Sequence, residues 1–323
     1  MAGSENVLQV VTLNIGGNRH FRNTPLNPPL LAREIHEIIP IDPTKPTLIA
    51  LQEASQVWYQ PDQLLDTGSL LALEFGFEYK SYYGTVIDSE THPHRRAWNR
   101  DPFAGAVRAS EGNAIITNLP LAEWPWPLPP EKHPGYANLR VLSTTISRAT
   151  LYSTGDRNTQ PRGVQVASVE TPFGPAFFMA THLTTFIGDT ERADPSLEHA
   201  NGPSQSRQHE VEQIIRVVNE LRAAEAEVGA KPRPILLAGD FNAQPPSKEI
   251  QRLLDVFEFL PPTSKSGSLA THIKQGVQID HILLSDPLKK LGTLKECFIY
   301  EDARVNAVTD HRPVIVTFEG SAE

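Results

Sequence analysis

The sequence predicts a strand-rich α+β domain of the sandwich type. Apolar or alternating runs typical of strands recur from residue 7 to residue 319, and helical patterns interrupt them only in places. The 28 prolines gather between these runs, as in ordered loops that join short strands. The chain has 323 residues, but no linker or repeat marks a boundary, so we expect one domain spanning residues 1–323.

The strand predictions rest on two patterns. Alternation of apolar and polar residues indicates a half-buried strand, whereas an unbroken run such as ILLA indicates a strand buried on both faces. The predicted strands, in chain order, are VLQVVTLN, TLIALQE, FEYKSYYG, GNAIIT, GVQVASVE, AFFMATHL, ILLAGDFN, QIDHILLS, CFIYED and PVIVTFE.

Helical spacing of apolar residues appears in three segments. Residues 29–39 carry it, residues 204–228 form a long amphipathic pattern that begins at a serine, and residues 246–259 form a shorter one. Because helices do not alternate regularly with strands, a simple βαβ repeat is not indicated.

Composition narrows the class of protein. The net charge of −9 argues against broad electrostatic binding to long duplex nucleic acid, which requires many Lys and Arg contacts to phosphates. The single cysteine, Cys297, excludes an internal disulfide framework. The sequence shows neither a signal peptide pattern nor an apolar stretch of membrane-spanning length. We therefore expect a cytoplasmic protein without membrane insertion, and no protein partner is indicated.

Polar residues follow or precede the apolar runs in a consistent way, which suggests that they share one cleft. Amides and carboxylates buried at a sheet end need partners or water. An Asn, Glu, Asp and His set suits a hard divalent cation together with a phosphate, because Mg²⁺ prefers oxygen ligands. These residues are Asn14, Glu53, His182, Asp240, Asn242, Asp280, Asp310 and His311.

The motifs around these residues occur in the order TLNIGG, ALQEA, GNAIIT, ATHLTT, GDFNAQP, QIDHILLS and TDHRPV. This ordered series resembles the endonuclease/exonuclease/phosphatase family, which includes pancreatic-type deoxyribonuclease, and it covers the chain from about Val7 to Glu319. The resemblance implies a four-layer αββα sandwich, with two packed mixed sheets flanked by helices. It also implies metal-assisted hydrolysis of a phosphate ester.

The resemblance also implies roles for the residues at the strand ends. Glu53 is expected to be the main carboxylate for Mg²⁺, with Mn²⁺ as a substitute, and the side-chain carbonyl of Asn14 is expected nearby. Asp240 would orient or deprotonate the attacking water. Asn242 would hold the water or a phosphate oxygen beside Asp240 if the strand stays extended.

The histidines are expected to contact the phosphate. His182 and His311 would donate hydrogen bonds to its non-bridging oxygens, and Asp280 would orient His311. Asp310 has two possible roles, as a metal ligand or as the partner of a histidine, and both stay open.

Each of these residues also has an ordinary structural interpretation. Asn14 could make a turn at a strand end, and Glu53 could pair with an arginine. Asp240 could cap the helix that begins near Pro246. His182 taken alone would be a buried histidine with satisfied hydrogen bonds.

Four residues are candidates for substrate binding. Arg162 could reach a phosphate or merely begin a strand. In the basic segment 92–100, Trp98 could stack on a base while Arg95 and Arg96 contact phosphates, although a solvated surface loop explains that segment equally well.

We expect the substrate to be a phosphodiester, most simply in single-stranded or chain-end nucleic acid or in nucleotides. A lipid-derived or other small phosphate ester is the alternative substrate. A non-catalytic binding scaffold is the alternative from another class of protein, and the complete set of candidate residues argues against it.

Overall fold

Two β-sheets face each other across an apolar core. The structure is a computed structural model, and it describes residues 6–16, 28–91, 106–124, 141–147, 161–185, 203–285 and 291–320. The strands of the first sheet are β1 (Asn6–Asn14), β2 (Thr47–Gln60), β3 (Gln63–Asp66), β4 (Lys80–Asp88), β5 (Arg108–Thr117), β12 (Thr293–Ile299) and β13 (Val314–Gly320). The strands of the second sheet are β6 (Val141–Thr145), β7 (Gly163–Thr171), β8 (Gly174–His182), β9 (Ile235–Asp240), β10 (Phe257–Phe259) and β11 (Asp280–Ser285).

The two sheets are built on the same plan. The order in the first sheet is β12-β13-β1-β2-β5-β4, with β3 beside β2, and the order in the second is β10-β11-β9-β8-β7-β6. Each sheet has one parallel pair near its centre, β1 with β2 and β8 with β9. Because parallel strands end at the same edge of a sheet, each pair brings two carboxyl ends together.

Helices cover the outer face of each sheet. The side chains of α1 (Pro28–Glu37), α2 (Thr67–Phe75) and α5 (Val305–Val308) share an apolar cluster with the first sheet, and those of α3 (Pro203–Glu227) and α4 (Lys248–Leu253) share one with the second. A third cluster fills the space between the sheets, with Leu8 and Val316 on one side and Phe178 on the other. The predicted four-layer αββα sandwich is therefore confirmed.

The structure differs from the predicted elements in several places, and β3, β6 and α5 were not predicted. Helix α2 was not predicted; Asp66 caps it by accepting a hydrogen bond from the Ser69 N–H. The helix predicted over 246–259 ends at Leu253, and residues 257–259 pair with β11 as an edge strand. Strand β2 extends to Gln60, seven residues beyond Glu53. None of the helices in the described parts of the chain is long and apolar enough to cross a membrane.

Candidate active site

The two central parallel pairs end at the same side of the sandwich, and their terminal residues meet across the gap between the sheets. His182 and Asp240 are register partners at the ends of β8 and β9, and Asn14 ends β1 in the opposite sheet. Asn14 Nδ2 donates to Asp240 Oδ2 at 3.0 Å and to Glu53 Oε1 at 3.4 Å. Asn14 therefore connects the two carboxylates predicted to act together.

This orientation of Asn14 differs from the predicted one. Its carbonyl oxygen accepts a hydrogen bond from the Gly16 N–H at 2.9 Å, and its NH₂ group faces the carboxylates. An amide presents either its oxygen or its nitrogen in a given direction. Asn14 therefore orients Glu53 and Asp240 and does not turn its carbonyl toward a cation between them.

Glu53 lies at an irregularity in β2. The pairing of β2 with β5 shifts between Leu51 and Ala54, and the backbone of Glu53 has φ 56°. A non-glycine residue in this left-handed region stores about 1–3 kcal/mol of strain, and such bulges re-aim side chains next to active sites. The bulge places the Glu53 carboxylate beside Asn14 while β2 continues past it.

Asp240 is the centre of the group and is 1% exposed. Its Oδ2 lies 3.0 Å from Asn14 Nδ2, 3.5 Å from His182 Nε2 and 3.8 Å from His311 Nε2. Its Oδ1 accepts from the backbone N–H of Asn242 at 2.8 Å. The helix-cap interpretation is wrong, because the side chain of Ser247 caps α4.

Asn242 does not lie on an extended strand, so the expected geometry is wrong. Strand β9 ends at Asp240, and Asn242 has φ 47°. Its Nδ2 donates to the Leu183 carbonyl at 3.0 Å. Asn242 therefore joins the segment after β9 to the segment after β8, which fixes the two strand ends relative to each other.

Asp280 and His311 form a buried pair. His311 Nδ1 donates to Asp280 Oδ2 at 2.9 Å, and Asp280 is the register partner of Asp240. Burial lowers the pKa of His311, but the charge and hydrogen bond of Asp280 outweigh it and raise that pKa to about 9. Burial and the nearby charge of Asp280 raise the pKa of Asp240 to about 6. At neutral pH the site thus contains a cationic His311 and a mostly ionised Asp240.

Arg162 directly precedes β7 and lies inside the site, and its contact with a substrate phosphate stays a prediction. It is 5% exposed, and its NH1 lies 3.0 Å from His182 Nδ1. Arginine can only donate, so Nδ1 is the acceptor and the proton of a neutral His182 sits on Nε2, which faces Asp240. Arg162, His182 and Glu53 line the same cleft.

Asp310 forms an ion pair with Lys274, and its charge also raises the pKa of the neighbouring His311. Its Oδ2 lies 3.3 Å from Lys274 Nζ at the half-exposed rim of the site. Both roles considered for Asp310 stay predictions. Arg95, Arg96 and Trp98 lie outside the described residues, and their contribution to substrate binding also stays a prediction.

Two features of the site were missed in the sequence. The ring of His272 lies 4.8 Å from that of His311, and burial together with the charge of His311 lowers the pKa of His272. His272 lies in the irregular segment before β11, where no strand or helix pattern marks it.

The second missed feature is a buried clamp on the segment that follows His182. Glu210 of α3 accepts hydrogen bonds from the N–H and hydroxyl of Thr184, at 2.8 and 2.6 Å. Arg207 donates to the carbonyl of Thr185 at 3.1 Å. The available signal was the position of these charged residues beside Val211 on the apolar face of a helix, where charges are rarely buried unless paired.

The donor groups suit a hard cation. One oxygen or nitrogen from each of Asp240, Asp280 and His311 lies within 4.8 Å of the others. A protonated His311 donates from both ring nitrogens and cannot ligate a metal, so its pairing with Asp280 competes with metal binding there. Glu53 offers a further carboxylate beside Asn14, and the described site contains no cysteine sulfur.

An αββα sandwich with acids and histidines gathered at one end defines the phosphoesterase class of this fold. The sequence profile of the Endonuclease/Exonuclease/phosphatase family matches residues 11–311. The chain belongs to this family, whose members are generally hydrolases that act on phosphate esters.

Solved structures share the fold at low sequence identity. An endonuclease/exonuclease/phosphatase from Beutenbergia cavernae DSM 12333 is 16% identical, with 98% of this chain and 72% of that chain covered and a TM-score of 0.64. The human Nocturnin catalytic domain with bound sulfate anion is 14% identical, with 97% and 94% covered and a TM-score of 0.60. TDP2 from Caenorhabditis elegans is 13% identical, with 97% and 75% covered and a TM-score of 0.52. No curated protein matches the sequence.

Proposed function

We propose that this protein is a divalent-metal-dependent phosphoesterase that hydrolyses a phosphodiester in nucleic acid or nucleotides by attack of an activated water. The main support for this proposal is the set of side chains that surrounds the carboxylate of Asp240. Its buried carboxylate is shared among Asn14, His182 and His311, all within 3.8 Å of one oxygen. A general base that faces hydrogen-bond donors for a phosphate is what this reaction requires.

Asp240 acts as the base. Its Oδ1 is fixed by the Asn242 N–H, while Oδ2 faces Asn14, His182 and His311. A pKa of about 6 keeps Asp240 ionised at neutral pH and still basic enough to take a proton from water. The hydrogen bond from Asn14 holds the carboxylate in one orientation.

The histidines stabilise the negative charge of the phosphoryl oxygens. His311 is cationic and held by Asp280, so it can donate a charge-assisted hydrogen bond from Nε2. His182 donates from its own Nε2, since Nδ1 accepts from Arg162. The guanidinium of Arg162 adds positive charge behind this ring.

Glu53 would hold the cation, which we propose to be Mg²⁺, with Mn²⁺ as a substitute. When bound, the cation supplies Lewis-acid neutralisation of the phosphoryl oxygens. Asn14 keeps Glu53 and Asp240 at a fixed separation by donating to both. Asp310, at the rim, is a second carboxylate that could contribute, and its role is part of the proposal.

The test uses purified protein with bis(p-nitrophenyl) phosphate and with a short single-stranded oligonucleotide. We expect turnover with Mg²⁺ or Mn²⁺ and its loss with EDTA. Asp240→Asn preserves the shape of the side chain but removes the base, so kcat should fall by about 10³-fold or more while the circular dichroism spectrum is unchanged. Asp302→Asn, the same substitution at a partly exposed position outside the site, serves as the control.

Wild-type turnover by the Asp240→Asn variant would refute the mechanism. A panel of duplexes, single strands, nucleotides and phospholipids then separates the nucleic acid substrate from a lipid-derived or other small phosphate ester. Cleavage of phospholipids alone would replace the proposed substrate class and leave the roles of the site residues in place.

A further inference from the structure

A second cavity of about 50 Å³ lies between the two sheets, beside the candidate active site. Strands β4 and β5 line it on one side, and β6 with the start of β7 on the other. It shares Asn113 and Arg162 with the cleft that contains Glu53 and His182. A group bound in this cavity would therefore lie next to Arg162, which contacts His182 of the candidate active site.

Polar side chains line the cavity, whereas the neighbouring part of the same inner sheet face is apolar. Ser143 pairs with Gln165, and Thr145 pairs with Gly163. Alternate residues of a strand share a face, so Gln165 lies on the same face of β7 as Ala167, which packs in the core between the sheets. Ser143 and Thr145 share a face in the same way. The inner face of the second sheet thus changes from apolar to hydrogen-bonding side chains at the cavity.

Gln165 has hydrogen-bonding capacity left over. Its Nε2 donates to the Tyr82 carbonyl at 2.7 Å, which fixes the direction of the amide. Its Oε1 is buried, and none of the residues that the structure describes provides it with a hydrogen-bond partner. Buried side-chain oxygens are usually hydrogen-bonded, so a donor brought by water or by a ligand is expected here.

Two glycines allow the two sheets to approach each other closely beside the cavity. A Cβ atom added to Gly84 would lie 2.5 Å from Ser143 Oγ, and one added to Gly163 would lie 3.2 Å from Val86 Cγ2. Neither glycine has a positive φ. Their lack of a side chain is therefore required by the close approach of the two sheets and not by backbone conformation.

The chemistry of the lining points to a hydroxylated ligand. Hydroxyls and amides both donate and accept, as sugar hydroxyls do, and none of the described residues that line the cavity has a carboxylate or an aromatic ring. A volume of about 50 Å³ has room for roughly four water-sized groups, which accommodates the hydroxyl edge of a sugar but not a nucleobase.

We propose that this cavity binds the sugar hydroxyls of a ribose-type substrate whose phosphate is cleaved at Asp240. This inference rests on the proposed phosphodiesterase function and narrows its substrate class. The cavity then distinguishes ribonucleotide from deoxyribonucleotide esters, because only the former bring the additional 2′-hydroxyl.

The test compares single-stranded ribo- and deoxyribo-oligonucleotides of the same sequence, with bis(p-nitrophenyl) phosphate as a diester that has no sugar. Cleavage by Asp240→Asn is subtracted as the background. We expect kcat/KM to be about 5- to 10-fold higher for the ribo-oligonucleotide, the effect of about one net hydrogen bond. Ser143→Ala and Gly84→Ala should bring the ratio to about 1 without changing turnover of bis(p-nitrophenyl) phosphate.

Thr144→Val is the matched control. The backbone of Thr144 lines the cavity, but its side chain lies on the opposite face of β6 from those of Ser143 and Thr145, so the ratio should persist. Cleavage of both oligonucleotides at equal rates by the wild type would overturn this inference while the proposed function stands. An equal loss of turnover on all three substrates in Ser143→Ala would also overturn it, since the residue would then be structural. No cleavage of any substrate would overturn the proposed function, and this inference with it.

Discussion

Replacing Asp280 by asparagine should lower the pKa of His311 and destabilise the fold in a pH-dependent way. Asp280 contributes both the largest charge effect and the hydrogen bond that raise the pKa of His311 from its usual 6.5 to about 9. Asparagine keeps a hydrogen-bond acceptor but removes the charge. Burial of His311, which lowers its pKa, then dominates.

The magnitude follows from the two pKa values. The difference between the usual pKa of 6.5 and the raised pKa of about 9 for His311 corresponds to about 3 kcal/mol, at about 1.36 kcal/mol per pKa unit. At pH 7 about 99% of wild-type His311 is protonated, whereas at most about a quarter would be protonated with a pKa at or below 6.5. Because the folded-state pKa is raised, this stabilisation is fully present below pH 6.5 and is lost as the pH rises through about 9.

Two measurements check this prediction, both in the presence of a chelator. Histidine NMR titration should show the His311 resonance near pKa 9 in the wild type and at or below 6.5 in Asp280→Asn. Urea unfolding should show a larger difference in stability between the two proteins at pH 6 than at pH 9.5. Asp302→Asn, which removes the charge from an exposed pair with Arg304, should show little difference at either pH. A stability difference that is constant from pH 6 to pH 9.5 would refute the reasoning.

Three further predictions concern the strand ends. In Gly239→Ala the new Cβ would lie 2.1 Å from the carbonyl oxygen of Thr181 on the paired strand. The free energy of unfolding should therefore fall by about 3 kcal/mol or more, measured by thermal unfolding. An unchanged melting temperature would contradict this contact. Glu210→Ala removes a buried acceptor of two hydrogen bonds and should lower the free energy of unfolding in urea by about 2–4 kcal/mol. Its kcat should also fall, because the segment after β8 loses its clamp. A wild-type free energy of unfolding together with a wild-type kcat would contradict the clamp. The value of kcat/KM should rise through about pH 6 as Asp240 loses its proton and fall through about pH 9 as His311 loses its proton. A flat profile between pH 5 and pH 10 would contradict these assignments.

Much of the fold could be predicted because its core strands are local patterns. Runs such as ILLA and FFMA are buried on both faces in the structure, as their unbroken apolar character indicates. Helix α2 was missed because its one strong signal, the capping residue Asp66, is also the last residue of strand β3. The segment at 257–259 was assigned to a helix because its spacing fits either period, and only its pairing with β11 decides the matter.

The sequence could predict which residues form the candidate site but not the contacts that those residues make. The positions of Asp240, Asp280 and His311 follow from motifs at strand ends, and the structure brings them within 4.8 Å of one another. The sequence could not predict that the Asn14 amide directs its NH₂ group, and not its carbonyl, toward the carboxylates. It also could not predict the left-handed backbone of Asn242. Both depend on groups supplied by segments adjacent only after folding.

What the sequence alone determined is therefore the class of fold, the family and the set of polar residues at the strand ends, because periodicity and short motifs are properties of neighbouring residues. Only the tertiary structure decided which oxygen or nitrogen each side chain presents and how its proton is held. It also revealed the polar cavity beside Arg162, whose walls come from strands as far apart in the chain as Gly84 and Gln165. Hydrogen bonds and pKa values are set by distances across the two sheets, and those distances exist only once the sheets have packed.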